Sequence, residues 1–337
     1  MKILIVGPSW VGDMVMAQTL FIILKRQHAD AIIDVLAPAW SRALLEHMPE
    51  VRKSVEMTVG HGEIGLGKRR VIARELNAEK YDQAIVLPNS LKSALVPWLA
   101  RIPLRTGWRG EARSWLLNDC RVLNKQAYPL MMERFAALGF REDRPLPDDL
   151  PRPALTVDYE QRAAALGRLA LDLSSPVLVL CPGAEFGAAK KWPARHYAEV
   201  ARHWIAQKGQ VWLMGSDKDT NDTESIRTLA GIEHQSSCHN LAGKTSLGEA
   251  IDLMSCADKV VSNDSGLMHI AAALGIPLVV VYGSTSPEFT PPLARRVEIV
   301  SLGLDCSPCF KRECPLGHTD CLNKLEPGQV SEALDSL

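Results

Sequence analysis

The chain has 337 residues, of which 47% are hydrophobic, and a net charge of −1 at pH 7. This length suits about two domains, and the hydrophobic content is ample for two buried cores, which argues against a disordered chain. The balanced charge argues against a uniformly polyanion-binding surface, so any basic site has to be local. No apolar run reaches the roughly 18 residues of a membrane span, and the N-terminus does not read as a secretory signal. We therefore expect a cytoplasmic protein without a transmembrane segment.

Short apolar runs alternate with longer helical patterns along the whole chain, which is typical of an α/β fold with parallel strands and covering helices. In the first half, the pattern predicts strands over residues 2–6, 31–36 and 82–87 and helices over 14–26 and 40–47. In the second half, it predicts strands over residues 177–180, 210–214, 259–262, 278–282 and 297–302.

A stretch rich in Pro and Asp, residues 144–153, interrupts this pattern and predicts a linker. We therefore predict domains over residues 1–153 and 154–324, followed by a terminal segment, 325–337, that is compatible with a short helix. Two such domains facing each other would enclose a cleft. Open parallel sheets bind ligands outside the carboxyl ends of their strands, so the loops after the strands are the places to look for chemistry.

The loop after the first predicted strand reads GPSWVGDM over residues 7–14. It is not a dinucleotide-binding G-x-G-x-x-G motif, because Gly7 and Gly12 lie five residues apart with Pro8 between them. Asp13 is placed where a helix begins, and its carboxylate could accept a proton from a substrate hydroxyl. The alternative is an acidic residue that only stabilises the positive end of the helix dipole.

Two loops of the second half suit a nucleotide. The loop after residues 177–180 carries Gly183 and the pair Lys190 and Lys191, whose backbone N–H groups and ammonium could neutralise a diphosphate. The residues alone leave open which lysine makes the contact. The loop after residues 210–214 contains Asp219, a candidate for binding ribose hydroxyls. Further candidates are Glu224 and the loop 240–245, and all of these side chains could equally face solvent.

The turn over residues 262–269, SNDSGLMH, is the most informative motif. Gly266 lets the backbone approach a ligand closely, and Asp264 or Ser265 can cap the helix that follows. The N–H groups at the start of that helix favour a phosphate. The alternative is an ordinary cap followed by a packed His269.

Residues 89–125 form a local basic patch with interleaved tryptophans, Trp98, Trp108 and Trp115. Its basic residues are Lys92, Arg101, Arg105, Arg109, Arg113, Arg121 and Lys125, against only Glu111 and Asp119. Such a patch suits an anionic sugar acceptor or the phosphates of a membrane surface, and also nucleic acid. The alternative is a solvated helix face with buried tryptophans.

Four of the eight cysteines fall near the C-terminus, at Cys306, Cys309, Cys314 and Cys321, with His318 among them. They could hold zinc or an iron–sulfur cluster, although the spacing matches neither a paired zinc ribbon nor a ferredoxin motif. The other four cysteines lie in apolar or turn contexts and are expected to be structural.

Five ordered motifs, at residues 7–14, 87–90, 105–110, 181–187 and 263–269, together resemble the heptosyltransferase family, glycosyltransferase family 9. The resemblance covers nearly the whole chain. It implies the GT-B architecture, in which two Rossmann-like domains with parallel sheets face each other across a cleft. The N-terminal domain would bind a lipid-linked acceptor, and the C-terminal domain would bind the ADP-heptose donor.

The resemblance also implies roles for single residues. Asp13 would be the general base, and Lys190 would stabilise the diphosphate leaving group, with the adjacent Lys191 as the alternative. The implied donor-binding residues are Gly183, Lys191, Gly215, Ser216, Asp219, Asp264, Ser265, Gly266 and His269. The implied acceptor-binding residues are Ser9, Trp10, Asn89, Lys92, Arg105 and Arg109. The reaction would be a single inverting displacement that needs no cofactor and no catalytic metal.

By the same resemblance, the acceptor would be heptosyl-Kdo2-lipid A at the cytoplasmic face of the inner membrane, with no nucleic-acid partner.

Three alternative functions stay open on sequence alone. They are another enzyme of cell-envelope synthesis that uses an ADP-sugar or other nucleotide sugar, a nucleotide-sugar epimerase, and a non-catalytic nucleic-acid-binding module.

Overall fold

The computed structural model describes residues 1–60 and 62–337, which form two compact units, Met1–Pro153 and Ala154–Leu337. The division falls at the end of the proline-rich stretch that ends at Pro153. We call these parts unit 1 and unit 2.

Unit 1 is built on a six-stranded sheet in which every pair of neighbouring strands is parallel, in the order β3-β2-β1-β4-β5-β6. Its strands are β1 (Lys2–Val6), β2 (Ile32–Ala37), β3 (Val51–Glu56), β4 (Gln83–Val86), β5 (Leu104–Trp108) and β6 (Asp119–Arg121). Its helices are α1 (Val11–Gln27), α2 (Ser41–Leu45), α3 (Leu66–Ala78), α4 (Leu91–Leu99) and α5 (Met131–Ala137).

Unit 2 repeats this arrangement with the strand order β12-β11-β10-β7-β8-β9, again parallel throughout. Its strands are β7 (Val177–Cys181), β8 (Gln210–Leu213), β9 (Cys238–Asn240), β10 (Lys259–Asn263), β11 (Leu278–Val281) and β12 (Val297–Val300). Its helices are α6 (Tyr159–Arg168), α7 (Ala194–Ala206), α8 (Thr220–Ala230), α9 (Leu247–Met254), α10 (Gly266–Ala273), α11 (Asp320–Asn323) and α12 (Pro327–Ser336).

The central strands are buried on both faces, which is why they read as continuous apolar runs in the sequence. All residues of β7 and β11 are buried. In unit 2, the rings of Trp192 and Tyr197 pack edge to face with their centroids 4.9 Å apart, and Leu334 of α12 joins the same apolar cluster. Truncating a buried leucine such as Leu334 to alanine costs about 2–5 kcal/mol, so α12 contributes to the stability of unit 2.

The strand order reverses beside the first strand of each sheet. In unit 1, β1 lies between β2 and β4, and in unit 2, β7 lies between β8 and β10. At such a point, the loops after the two neighbouring strands leave the carboxyl edge in opposite directions, and ligands of doubly wound sheets bind in the crevice between them. The loops after β1 and β4 and the loops after β7 and β10 therefore hold the candidate sites.

The strands predicted from the sequence all occur, with ends within two residues of the prediction. Helix α1 begins at Val11, three residues earlier than predicted, so Asp13 lies within its first turn. The sequence pattern missed β3, β5, β6 and β9. Strands β6 and β9 have three residues each and lie at sheet edges, and β3 is a mostly solvated edge strand with charged residues. Apolar periodicity is weak in such strands because only part of their surface is buried.

Candidate active site

The loops after three neighbouring strands of unit 2 meet at an ion pair. Nζ of Lys190 lies 2.6 Å from Oδ2 of Asp264, and the hydroxyl of Thr285 donates a 2.6 Å hydrogen bond to the same oxygen. Lys190 follows β7, Asp264 follows β10 and Thr285 follows β11. The side chains of Lys190 and Asp264 are 14% and 6% exposed. Charges interact more strongly in such a partly dry setting than at an open surface.

An aromatic ring covers the lysine of this pair. The ring centroid of Phe186 lies 5.1 Å from Nζ of Lys190 and 5.6 Å from the guanidinium carbon of Arg312. Both cations are attracted to the electron-rich face of the ring. Phe186 and Asp264 together therefore restrict where the ammonium of Lys190 can lie.

His269 lies on α10 close to the ion pair and is buried. The pKa of His269 is lowered to about 4, mainly because the ring is buried; the negative charge of Asp264 opposes this shift, and the positive charge of Lys190 adds to it. The imidazole is therefore neutral at pH 7. His269 therefore adds no positive charge to the site of Lys190 and Asp264.

Lys191 points to a different place. Its Nζ lies 2.5 Å from Oδ2 of Asp222 on α8, and both side chains are more exposed than those of the Lys190 pair. The short 3-10 turn Ala188–Lys190 ends between the two lysines and separates their directions. The structure thus brings Lys190, and not Lys191, beside Asp264.

A buried amide anchors these loops to the sheet. Oδ1 of Asn263 accepts hydrogen bonds from the backbone N–H of Trp192 at 3.2 Å and from the hydroxyl of Tyr197 at 3.0 Å. Its Nδ2 donates to the carbonyl oxygen of Pro182 at 2.6 Å. Because Asn263 precedes Asp264 directly, this network fixes the end of β10 relative to the loop that carries Lys190.

Two of the predicted donor-binding glycines pack against Asp219. A Cβ atom at Gly183 would lie 2.8 Å from Oδ2 of Asp219, and one at Gly215 would lie 2.8 Å from its Cβ. Oδ2 of Asp219 also accepts hydrogen bonds from the backbone N–H and hydroxyl of Ser216, at 2.9 and 2.8 Å. The four residues, from the loops after β7 and β8, therefore pack together at the carboxyl ends of these strands, where a side chain at either glycine would displace Asp219.

The start of α10 is not capped as the sequence predicted. Neither Asp264 nor Ser265 makes a side-chain cap within the described residues; the carboxylate of Asp264 turns to Lys190, and Ser265 Oγ lies 3.2 Å from Ser262 Oγ. That part of the prediction is wrong, because the ion pair competes with the cap for the same carboxylate. The N–H groups of the first turn, beginning at Gly266, remain suited to bind an anion.

Five of the candidate residues of unit 1 lie at the carboxyl ends of two adjacent strands, β1 and β4. Ser9 and Trp10 belong to the loop after β1, and Asp13 to the first turn of α1. Asn89 is exposed in the loop after β4, and Lys92 is half-buried near the start of α4. Trp10 is 45% exposed, so its ring is available to a ligand.

Arg113 was predicted to belong to a surface patch, but the structure places it in the interior. Its guanidinium is buried and donates to the carbonyl oxygens of Trp108 and Pro88, to Ser93 Oγ at 2.9 Å and to Asn89 Oδ1 at 3.1 Å. Burial lowers the pKa of Arg113 to about 10, which leaves it charged at pH 7. Arg113 therefore shapes the loop that presents Asn89.

Two further members of the predicted patch also turn inward. Arg105 lies on β5 and donates to the carbonyl oxygens of Ile102 and Leu116 at 2.5 and 2.7 Å. Arg121 is buried and forms an ion pair with Asp119 at 2.7 Å. The prediction of one continuous basic patch is therefore wrong, because β5 and β6, which the sequence pattern missed, draw these arginines into the sheet. The exposed basic residues of this region are Arg101, Arg109 and Lys125.

Comparison with known proteins identifies the family. Residues 69–320 match the model of glycosyltransferase family 9 (heptosyltransferase). This chain belongs to glycosyltransferase family 9. It is 46% identical over 342 residues to lipopolysaccharide heptosyltransferase 2 of Escherichia coli (strain K12), covering 100% of this chain and 98% of the relative. It is 51% identical over 309 residues to lipooligosaccharide heptosyltransferase 2 of Haemophilus influenzae, covering 90% and 89%.

The solved structure of E. coli ADP-heptose LPS heptosyltransferase II matches this chain with a TM-score of 0.91 at 45% identity, covering 100% of this chain and 98% of that one. The predicted resemblance to the family is confirmed, and so is the α/β fold with the two Rossmann-like sheets of a GT-B enzyme. As a member of family 9, this protein is a glycosyltransferase.

Tryptophans are distributed unevenly in this family 9 enzyme. Those of unit 2 are all buried, whereas Trp10, Trp40, Trp98 and Trp115 of unit 1 are 37–62% exposed. Trp98 and Trp115 form an edge-to-face pair with ring centroids 5.7 Å apart. No helix among the described residues is both long enough and apolar enough to span a bilayer.

The sequence reasoning missed four residues that organise the candidate site of this glycosyltransferase: Asn263, Thr285, Phe186 and Tyr197. Asn263 and Phe186 lie inside two of the motifs that carry the family resemblance, and their polar or aromatic side chains close to a catalytic candidate were the available signal. Thr285 and Tyr197 gave no such signal, because only the folded chain brings them to Asp264 and Asn263.

Proposed function

We propose that this chain transfers a heptose from ADP-L-glycero-D-manno-heptose to the first heptose of the lipopolysaccharide inner core, with inversion at the anomeric carbon. The observation that carries the proposal is the buried pair of Lys190 and Asp264 beside the start of α10, where the strand order of unit 2 reverses. The identity of 46% to a lipopolysaccharide heptosyltransferase 2 and of 51% to a lipooligosaccharide heptosyltransferase 2, from two genera, supports the choice of sugar and acceptor.

The donor diphosphate is assigned to Lys190 and the N-terminus of α10. Negative charge on the departing ADP grows as its bond to the anomeric carbon breaks, and an ammonium within hydrogen-bonding reach stabilises that charge. Asp264, Thr285 and Phe186 hold the ammonium of Lys190 in place before the donor arrives. An ammonium that is already held in position needs little reorganisation during the reaction, so little of its stabilising energy is lost.

The remaining donor contacts follow from the same assignment. The group formed by Gly183, Gly215, Ser216 and Asp219 lies at the carboxyl ends of β7 and β8, where doubly wound domains bind ribose. We assign Asp219 to the ribose hydroxyls, and Lys191 to a secondary role because it is paired with Asp222. Ser265, Gly266 and His269 complete the donor set on the first turns of α10.

We assign to Asp13 the removal of the proton from the acceptor hydroxyl. The hydroxyl oxygen forms the new bond to the anomeric carbon, the bond from that carbon to the phosphate oxygen breaks, and ADP leaves with the bonding electrons. The carboxylate of Asp13 takes the hydroxyl proton. A single attack on the face opposite the leaving group inverts the configuration. In this scheme, Lys190 and the N-terminus of α10 supply the positive charge that stabilises the departing diphosphate.

The acceptor is assigned to unit 1. Ser9, Trp10, Asn89 and Lys92 lie at the carboxyl ends of β1 and β4, and exposed Arg109 follows β5. We assign Arg105 a weaker role than the sequence suggested, since backbone carbonyls occupy its guanidinium.

We further propose that unit 1 rests on the anionic cytoplasmic face of the inner membrane. The exposed pair of Trp98 and Trp115 and the exposed cations Arg101 and Lys125 all belong to the stretch of residues 89–125. Tryptophan rings favour the headgroup level of a bilayer, and each nearby lysine or arginine adds about 1 kcal/mol of attraction to anionic lipid.

Mass detection of product tests the proposal. Purified protein is incubated with ADP-heptose and a heptosyl-Kdo2-lipid A acceptor, and we expect the acceptor to gain one heptose. Parallel reactions with other ADP-sugars and with UDP- and GDP-sugars address the alternative, another nucleotide-sugar-dependent GT-B enzyme of envelope synthesis. Transfer from one of these donors without transfer from ADP-heptose would replace the proposal by that alternative.

A further inference from the structure

Four thiols near the C-terminus surround one small cavity of unit 2. The side chains of Cys306, Cys309, Cys314 and Cys321 all line it, together with Ser284. Its volume is about 20 Å³, which is room for roughly one water-sized sphere. The cavity therefore has room for a single ion. None of these cysteines takes part in the proposed reaction.

The backbone around Cys314 is arranged as it is around metal-bound sulfur. The N–H of Thr319 donates to Sγ of Cys314 at 3.4 Å, and the N–H of Gly317 donates to the carbonyl oxygen of Cys314 at 3.1 Å, which closes a tight turn around this thiol. A neutral thiol accepts hydrogen bonds weakly, whereas metal-bound thiolates are commonly held by such N–H···S bonds. This turn suits a sulfur that carries negative charge.

A buried hydroxyl beside the thiols gives an independent indication of a ligand. Ser284 is 1% exposed, and its Oγ has no hydrogen-bond partner among the residues that the structure describes. A buried hydroxyl without a partner costs about 1–3 kcal/mol. Because Ser284 lines the cavity, a thiolate drawn into the cavity would provide the missing acceptor.

The cysteine segment is fastened to the loop of Lys190 and to the loop of Thr285, which donates to the ion pair. The N–H of Phe310 donates to the carbonyl oxygen of Ser284 at 2.7 Å, one residue before Thr285. The N–H of Ala189, the neighbour of Lys190, donates to the carbonyl oxygen of Arg312 at 3.0 Å. The backbone also packs tightly here, since a Cβ atom at Gly187 would lie 2.3 Å from that same oxygen.

We propose that Cys306, Cys309, Cys314 and Cys321 bind one zinc ion, which holds the cysteine segment against the loops of Lys190 and Thr285. Four thiolates around a single ion match the tetrahedral sites that structural zinc prefers, and Cys306-x2-Cys309 has a ligand spacing common in them. His318 is a poorer ligand, because its Nδ1 accepts the N–H of Asp320 at 2.9 Å.

In the described residues, no three His, Cys, Asp or Glu side chains already stand in a metal-holding group. Zinc binding therefore has to draw the thiols together, by rotation of the cysteine side chains between staggered rotamers around the cavity. The zinc site itself is independent of the proposed function. Only its effect on transfer, through the position of Lys190, rests on that function.

Elemental analysis of protein purified under reducing conditions without chelator tests the site. We expect about one zinc ion per chain. We also expect that exchange for Co²⁺ produces the intense visible absorption of tetrahedral cobalt–thiolate. Cys309→Ser and Cys314→Ser should lose the metal, whereas Cys256→Ser, a half-buried cysteine outside the segment, should keep it. The wild-type measurements decide the question even if a variant does not fold.

Hydrogen exchange of the wild-type protein, with and without a strong chelator, tests the consequence. Chelation should increase exchange in residues 183–191 and 283–286 and leave β1 unchanged.

The site is overturned by protein that holds no metal, by a disulfide within the four cysteines, or by iron together with acid-labile sulfide. Bound zinc with no change of exchange would overturn the fastening role. Zinc-loaded protein without heptose transfer would leave the site standing and contradict the proposed function.

Discussion

Lys190 and Asp264 form a largely buried ion pair, Nζ to Oδ2 at 2.6 Å, that joins the loop after β7 to the loop after β10. The adjacent Lys191 is instead paired with Asp222 of α8. Two neighbouring residues of the same chemistry thus have different surroundings, and the proposed leaving-group role falls to Lys190.

Lys190→Ala is expected to lower kcat/KM for heptose transfer by on the order of 2–4 kcal/mol, or about 30- to 1,000-fold, because the departing diphosphate loses its ammonium. Lys191→Ala is the matched control and should have a much smaller effect. Steady-state kinetics of both variants measure the difference. A near-normal rate for Lys190→Ala, with a large loss for Lys191→Ala, would transfer the role to Lys191.

Asn263→Ala is expected to destabilise the protein by about 3 kcal/mol or more, because it leaves the buried N–H of Trp192, the hydroxyl of Tyr197 and the carbonyl of Pro182 without their partner. Tyr197→Phe removes only one of these hydrogen bonds and should cost about 1 kcal/mol. Urea unfolding of the two variants provides the comparison. Equal costs would mean that the amide does not join the loop to β10.

Arg113→Met is expected to cost about 2–4 kcal/mol of stability, since carbonyl oxygens now bonded to the buried guanidinium lose their donor. Lys125→Met, at an exposed position, should change stability by no more than about 0.5 kcal/mol. Arg113→Met should also raise KM for the acceptor, because Asn89 loses one of its contacts. An unchanged free energy of unfolding would return Arg113 to the surface patch that the sequence suggested.

His269 is expected to make stability depend on pH. Burial lowers its pKa from 6.5 in the unfolded chain to about 4 in the folded one. Between these values the unfolded state binds more protons, so the free energy of unfolding rises with pH, and the stability present above pH 6.5 is lost as pH falls towards 4. This contribution is at most on the order of 3 kcal/mol.

Urea unfolding at several pH values between 7.5 and 4.5 tests this, with His269→Gln as the comparison. Because His196 and His239 also have lowered pKa values owing to burial, only the difference between wild type and variant isolates His269. The pH dependence of the variant should be shallower than that of wild type. Parallel curves would show that His269 is not the group that titrates.

The sequence predicted the central strands well because a parallel strand buried on both faces is a continuous apolar run, as in the all-buried β7. It could not predict β5, whose Arg105 and Gly107 resemble a loop. Missing β5 made the arginines around it look like one exposed patch, although Arg113 and Arg121 are buried. A sequence shows where charged residues lie along the chain, but not whether their side chains are buried or exposed.

The candidate site was predictable to the level of the loop and not of the side chain. The glycine-containing loops after β7 and β10 are recognisable because parallel sheets bind ligands there. Whether Lys190 or Lys191 faces Asp264 depends on the 3-10 turn Ala188–Lys190, which leaves no mark in the residue types. Thr285 is 21 residues from Asp264 in the chain, and only the pairing of β10 with β11 brings them together.

The central claim is that Asp13 of unit 1 acts as the base while unit 2 binds ADP-heptose. The variant Asp13→Asn tests it most directly. Transfer of heptose and the Kd for ADP-heptose are measured on the same preparation. The account predicts a loss of turnover of about 100- to 10,000-fold with a Kd unchanged within about threefold. A loss of donor affinity as large as the loss of turnover, or a variant that still transfers heptose at a near-normal rate, would contradict it.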